Sequence, residues 1–414
     1  MTPAMLPFPT RAPFRIDQVT AAPLPLTLLT LALVATAVVM TLAARIGSRR
    51  VWAAGAILLP LLVTVLFGLG AWGTSDITKL SHFFALERGG GTRGELFWWL
   101  VGPMIPALPY RMALVHGLVA GAYALMPILL ARRWGARAWA GWWALLVVFS
   151  PLLRTFLQNG VSRQALMTLL LVPLLLWAGR LAPVRRGWVA AATIVAAGIH
   201  TTFVPTAVLA LVPRILAGMD PGASPREPSW RSIRGRRLIG IGAFVIAVAG
   251  LLVIAAPMAW MKFQTYALQE SFFNSYALTL PMARLQLSML IGAAMVCWQK
   301  RLGWRRLLGC GHSRQLAGFF LLLLLLQESL RQGWVPSITS RLADTAGLFL
   351  LIVWLAWLEH HRVRWAVLPT LLVTLNYWLL GRLPESLTVS CGHNDSFFCL
   401  PDRWPWQIRW GGGP

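Results

Sequence analysis

Charge is scarce in this chain, and negative charge is scarcest. Of 414 residues, 13 are Asp or Glu against 37 Lys and Arg, and the charged types together make up 12%. Soluble globular domains carry roughly 25%, so the surface of a water-soluble protein of this length cannot be built from these residues. Cysteine is rarer still, with four in all. No internal repeat is visible, which argues against a transporter assembled from duplicated halves. What the chain has instead is apolar: 57% of residues are hydrophobic and the mean hydropathy is +0.65. Several windows exceed the roughly 18 apolar residues that read as a membrane span. The expected class is all-α and polytopic, because in lipid every backbone polar group needs a partner within the protein.

A formal net charge of +24 would point to nucleic acid in a soluble protein. Here the cations lie in short clusters between apolar runs: RIGSRR (45–50), RRWGAR (132–137), RLAPVRR (180–186), Arg214 to Arg237, QKRLGWRR extended to Arg314, and EHHRVR (359–364). Loops of this kind mark the cytoplasmic side, so orientation is the reading and no nucleic-acid partner is expected.

Spans laid between the clusters run Leu24 to Ala44, Val51 to Gly73, Met112 to Ala131, Ala138 to Pro151, Gln164 to Gly179, Leu238 to Pro257, Leu285 to Trp298, Leu316 to Gln327, Leu342 to Leu358 and Ala366 to Leu380. The first is too long for a typical signal-peptide core and is kept as an anchor. Roughly ten full crossings result, with outer-face tails at 1–23 and 381–414 around a membrane domain at 24–380. Two stretches break the alternation. If ELFWWLVGPMIPALPY (95–110) crossed fully, RRWGAR would lie outside; with three prolines it reads as re-entrant or interfacial. If WVAAATIVAAGIHTTFVPTAVLALVP (188–213) crossed once, the most basic loop would lie outside. Two half-helices meeting near His200 resolve that conflict, with one long helix as the alternative.

This scheme collects polar residues at the outer face. They are Asp76, Lys79, His82, Glu87, Arg88, Arg93 and Glu95 in the first outer loop; Arg154, Gln158, Asn159, Arg163 and Gln164 at a helix junction; His200 at its apex; and Glu328, Arg331, Gln332, Arg341 and Asp344 in the stretch LQESLRQGWVPSITSRLAD. Polar groups at membrane depth are costly and mark pathways or sites; snorkelling anchors or solvated loops are the plain alternative. In the tail, CGHNDSFFC places Cys391 and Cys399 on an oxidising face, where a disulfide is expected. The alternative, a zinc site with His393 and Asp395, has an unusual ligand spacing. Cys297 and Cys310 fall inside and are expected to stay reduced.

Four of these stretches resemble one family when taken in order. An Asp opens the first outer loop (DITKLSHFF), an Arg-Gln pair enters a helix (VSRQALM), a His follows a short apolar helix (AAGIHTTFVPTAVLAL), and a late Arg precedes an apolar helix (ITSRLADTAGLFLL). The order and spacing, from Asp76 to Leu380, resemble the EpsG-type exopolysaccharide polymerases, relatives of the Wzy O-antigen polymerases. Two departures are His82 where a Tyr is expected, and Leu342-Ala343-Asp344 in place of an aromatic run.

The resemblance implies a GT-C-like membrane fold in the bacterial cytoplasmic membrane. Its activity would be glycan polymerisation on the outer face, joining repeat units carried on undecaprenyl diphosphate. A further implied partner is a regulator of chain length. Such chemistry needs cations for the leaving diphosphate, and a guanidinium offers phosphate a charged, bidentate fork; Arg154, Arg163, Arg331 and Arg341, with Gln164, are the candidates. It also needs a base for the acceptor hydroxyl, for which His200 suits proton transfer near neutral pH and Asp76, Glu87 and Glu95 are the reserve candidates. No cofactor and no metal is expected at that site. The rival readings are a glycosyltransferase using a lipid-linked sugar, which commonly carries an adjacent acidic pair absent here, and a lipid-linked glycan transporter.

Overall fold

The computed structural model describes residues 19–21, 23–70, 109–158, 162–200, 202–217, 275–301, 303, 310–332, 336–382 and 399–401. These residues are almost wholly helical. In chain order they form β1 (Val19–Ala21), α1 (Pro23–Arg45), α2 (Arg49–Gly70), α3 (Pro109–Arg133), α4 (Ala140–Val148), α5 (Ser162–Leu170), α6 (Val172–Ala178), α7 (Arg186–Ile199), α8 (Phe203–Ala217), α9 (Ser275–Lys300), α10 (Gly311–Arg331), α11 (Pro336–His360), α12 (Leu368–Asn376) and β2 (Cys399–Pro401). Five helical stretches are long and apolar enough to cross a membrane: Thr27–Arg45, Arg49–Gly68, Leu114–Arg133, Leu280–Lys300 and Thr339–His360. Two of the expected elements, 95–108 and Leu238 to Pro257, lie outside the described residues, as do Asp76 and Cys391.

Burial sorts the long helices into centre and rim. The crossing stretch of α11 is 89% buried, whereas those of α1 and α2 are 33% buried each. Leu28, Leu31, Leu58 and Leu61 on α1 and α2 are exposed; an apolar face of this extent suits lipid and would be a liability in water. α2 and α3 approach closely because small residues face each other. A Cβ added at Gly117 would meet the Thr64 carbonyl, and one at Gly121 the Thr64 hydroxyl. This is the small-residue contact by which helices associate in membranes.

Between α3 and α5 the chain departs from the single helix expected over Ala138 to Pro151. α4 ends at Val148, where Ser150 turns extended (φ −61°, ψ 131°) ahead of Pro151. A 3-10 turn, Pro151–Leu153, then leads into a π-helical turn, Arg154–Gln158. The Ser150 hydroxyl accepts from Leu152 N–H at 3.2 Å, a helix cap in the middle of an apolar run. π turns of this kind recur at functional sites. The last expected span behaves similarly: Arg364–Val367 is 3-10, α12 follows, and Tyr377–Arg382 is a π turn.

The basic clusters come together at one end. Trp52 donates its indole N–H to the Arg137 carbonyl at 3.1 Å, joining RIGSRR to RRWGAR. Trp134 donates to the Leu181 carbonyl at 3.2 Å and the Arg133 guanidinium to the Pro183 carbonyl, joining RRWGAR to RLAPVRR. Gln315 Nε2 donates to the carbonyls of Gly179 and Pro213 at 3.1 and 3.4 Å, and the Arg214 guanidinium lies 4.7 Å from the centre of the Trp177 ring. Trp365 donates to Gln299 Oε1 at 2.9 Å, and His312 stacks on His360. Helices ending here close with 6→1 backbone bonds, such as Ala136 N to the Ala131 carbonyl and Leu181 N to Leu176. The left-handed residue each needs is glycine at Gly135 (φ 75°) and arginine at Arg180 (φ 53°) and Arg362 (φ 54°). Cations at helix C-termini also complement the helix dipole.

The stretch around His200 is a hairpin. α7 starts seven residues after α6 has ended beside Pro213, rises 14 residues, and stops at His200, which is extended (φ −152°, ψ 143°). α8 then returns until Pro213 lies against Gly179. At 1.5 Å per residue α7 climbs about 21 Å, short of the ~30 Å hydrocarbon thickness. α8 therefore ends on the side of the basic clusters. The expected result is that a cysteine at Ser232, in a cysteine-free background, is labelled by an impermeant maleimide only after permeabilisation; labelling in intact cells refutes the hairpin topology.

Candidate functional site

The end opposite the basic clusters gathers the junction residues. α11 begins there, the π turn Arg154–Gln158 reaches it from α4, and α5 leaves from it. Asp344, fully buried, fixes this junction: its Oδ2 accepts from the Phe156 backbone N–H at 2.8 Å. Beside it, the Thr168 and Thr345 hydroxyls meet at 3.4 Å, tying α5 to α11. Close approach is permitted by Gly347, where a Cβ would stand 2.7 Å from Leu152 Cβ. Arg341 lies one turn before Asp344 on α11, and Arg154 two residues before Phe156. One buried carboxylate thus joins the two segments that carry these cations.

The other side of the junction rests on α3. His116 is fully buried and bridges two segments: its Nε2 is 2.8 Å from the Leu157 carbonyl and its Nδ1 2.8 Å from Ser162 Oγ. A carbonyl only accepts, so Nε2 carries the proton and Nδ1 accepts from the serine hydroxyl. Two turns along the same face, the Tyr123 hydroxyl donates to the Ala165 carbonyl at 2.9 Å. Neither residue was among the sequence candidates. The signal was present, since His116 and Tyr123 are polar groups seven positions apart on one stripe of an apolar helix.

Arg163 and Gln164 occupy the first turn of α5, where N–H groups have no intrahelical partner and the dipole is positive. Gln164 is fully buried, yet neither its Oε1 nor its Nε2 has a hydrogen-bond partner. Arg154 is half-buried, and its Nε is buried with no partner. Orphaned polar atoms of this kind are uncommon in folded proteins. Arg331, whose side chain is not described, lies at the end of α10, where Gln332 Nε2 donates to Glu328 Oε1 at 2.7 Å.

His200 stands at the hairpin apex, the end of α7 toward the junction, and is 5% exposed. Its Nδ1 accepts from Thr202 N–H at 3.1 Å and lies 2.8 Å from Thr202 Oγ1, so the imidazole caps α8. A backbone N–H only donates, which leaves Nδ1 unprotonated and puts the proton of the neutral ring on Nε2. In this arrangement His200 offers its surroundings a donor. The structure therefore gathers Arg154, Arg163, Gln164, Arg341 and His200 on the side away from the basic loops, while Asp76 lies outside the described residues. No family model, no curated protein and no solved structure matches this chain.

Proposed function

We propose that the junction is the phosphate-binding floor of a membrane glycan polymerase. In this reading the protein joins repeat units carried on undecaprenyl diphosphate at the outer face of a bacterial cytoplasmic membrane, with about ten crossings in a GT-C-like arrangement. The observation that carries it is Gln164, a fully buried amide with both polar atoms unpartnered in the first turn of a helix beside Arg163. A helix N-terminus with arginines attracts an anion, and the buried amide completes its contacts with that ligand. Arg154, Arg163 and Arg341, joined by Arg331, hold the diphosphate and take its charge as the glycosidic carbon is transferred, so the leaving group needs no metal. The Nε2–H of His200 donates to the same oxygens, which differs from the base role expected from sequence. The acceptor hydroxyl gives its proton to a carboxylate of the first outer loop, for which Asp76 is the candidate.

The test is direct. Purified protein in proteoliposomes, supplied with lipid-linked repeat units, is expected to yield a ladder of lengthened glycans and free undecaprenyl diphosphate. Gln164→Leu, which fills the site with an apolar side chain of similar size, is expected to reduce the ladder about tenfold or more, the scale of one lost hydrogen bond to a charged group. Movement of the lipid-linked glycan across the bilayer without lengthening would replace this reading with transport. Transfer of one sugar only would replace it with a lipid-sugar glycosyltransferase.

A further inference from the structure

At the basic end, opposite the junction, a second constellation is assembled from residues that no part of the proposed chemistry uses. Cys310 precedes the first residue of α10, His360 is the last residue of α11 and His361 follows it. Cys310 Sγ lies 3.7 Å from His360 Nε2. One ligand atom from each of Cys310, His360 and His361 falls within 4.8 Å of the other two. His361 Nε2 is buried without a hydrogen-bond partner.

The packing around these groups fixes their rings. His312, the second residue of α10, stacks on His360 at 4.6 Å between ring centres and 15° between planes. Trp357 meets the His361 ring edge to face at 4.7 Å, and its indole N–H is held by Ser313 Oγ at 2.8 Å.

We infer that Cys310, His360 and His361 bind one zinc ion, with water in the fourth position. The geometry is near to what the metal requires. With Zn–S about 2.3 Å and Zn–N about 2.0–2.1 Å at tetrahedral angles, sulfur and nitrogen ligands stand about 3.6 Å apart. The Cys310–His360 edge is therefore already at metal-binding separation, and the His361 ligand atom lies within 4.8 Å of both. Thiolate and imidazole are the donors that select zinc over magnesium or calcium. This side is the one where the basic loops place the cytoplasm, so Cys310 remains a thiol able to ligate. The ion ties the start of α10 to the end of α11, the most buried helix.

The test uses the full-length protein, purified in detergent through a tag that contains no histidine and stripped with chelator. Titration with Co(II) is expected to give one equivalent of a tetrahedral spectrum with a sulfur-to-metal charge-transfer band, and Zn(II) is expected to bleach it. Cys310→Ser should lose that band, and His361→Gln should weaken Co(II) binding about tenfold or more. A second readout needs no substitution: Zn(II) should protect Cys310 of the wild-type protein from alkylation while leaving Cys297 as reactive as before. Alkylation of Cys310 unchanged by Zn(II), or a Co(II) spectrum that survives in Cys310→Ser, overturns the site.

Discussion

Arg163→Lys is expected to abolish most lengthening of the glycan while the protein accumulates normally, and Arg163→Ala to be at least as severe. Lysine keeps the charge and loses the planar fork that grips two phosphate oxygens. A hydrogen bond to a charged group is worth about 1.5–3 kcal/mol, which is about one to two orders of magnitude in rate when the contact tightens in the transition state. The position makes the substitution specific, because Arg163 follows the Ser162 whose hydroxyl holds His116 and precedes the unpartnered Gln164. Single repeat units should build up on the lipid carrier in the mutant strain. Full-length polymer from Arg163→Ala at wild-type protein levels would remove the role assigned to this residue. A structural arginine would instead be replaced well by lysine, with any defect following protein abundance.

The largest expected loss of stability comes from Asp344. In Asp344→Leu the Phe156 N–H, held at 2.8 Å in a fully buried position, loses its acceptor. A buried donor left unsatisfied costs about 1–3 kcal/mol. Asp344→Asn keeps a carbonyl oxygen for the same bond and should lose clearly less. Thermal unfolding in detergent should rank wild type above Asn and Asn above Leu. A Leu variant as stable as Asn would show that the carboxylate does not organise the π turn. The turn carries Arg154, so the Leu variant should also lose lengthening beyond its loss of folded protein.

The hairpin at His200 was legible because charge, a long-range constraint written in the sequence, conflicted with a single crossing of 188–213. Hydropathy alone would have drawn one long helix there. The same reasoning was powerless over 137–158. From Ala138 to Leu153 that run is apolar on nearly every side, and periodicity in such a segment does not separate α from 3-10 or π geometry; only Pro151 hinted at the break. The junction residues were legible as polar groups out of place. Which of them touch depends on bonds between positions far apart in the chain, such as Asp344 with Phe156 and His116 with Leu157, and no local pattern records those. His200 shows the difference in kind: its location followed from charge, whereas the state of its Nδ1 followed from one backbone N–H two residues on.

The small ribbon formed by β1 and β2 sets a parity rule. Val19 pairs with Pro401 and Ala21 with Cys399 in antiparallel register, so the entry to α1 and the segment beyond α12 occupy the same aqueous compartment. A chain whose ends share a compartment must traverse the bilayer an even number of times. The five long apolar helices among the described residues therefore cannot be the whole set of traverses. An irregular stretch such as 137–158 is a natural place for a further traverse that straight helices do not supply.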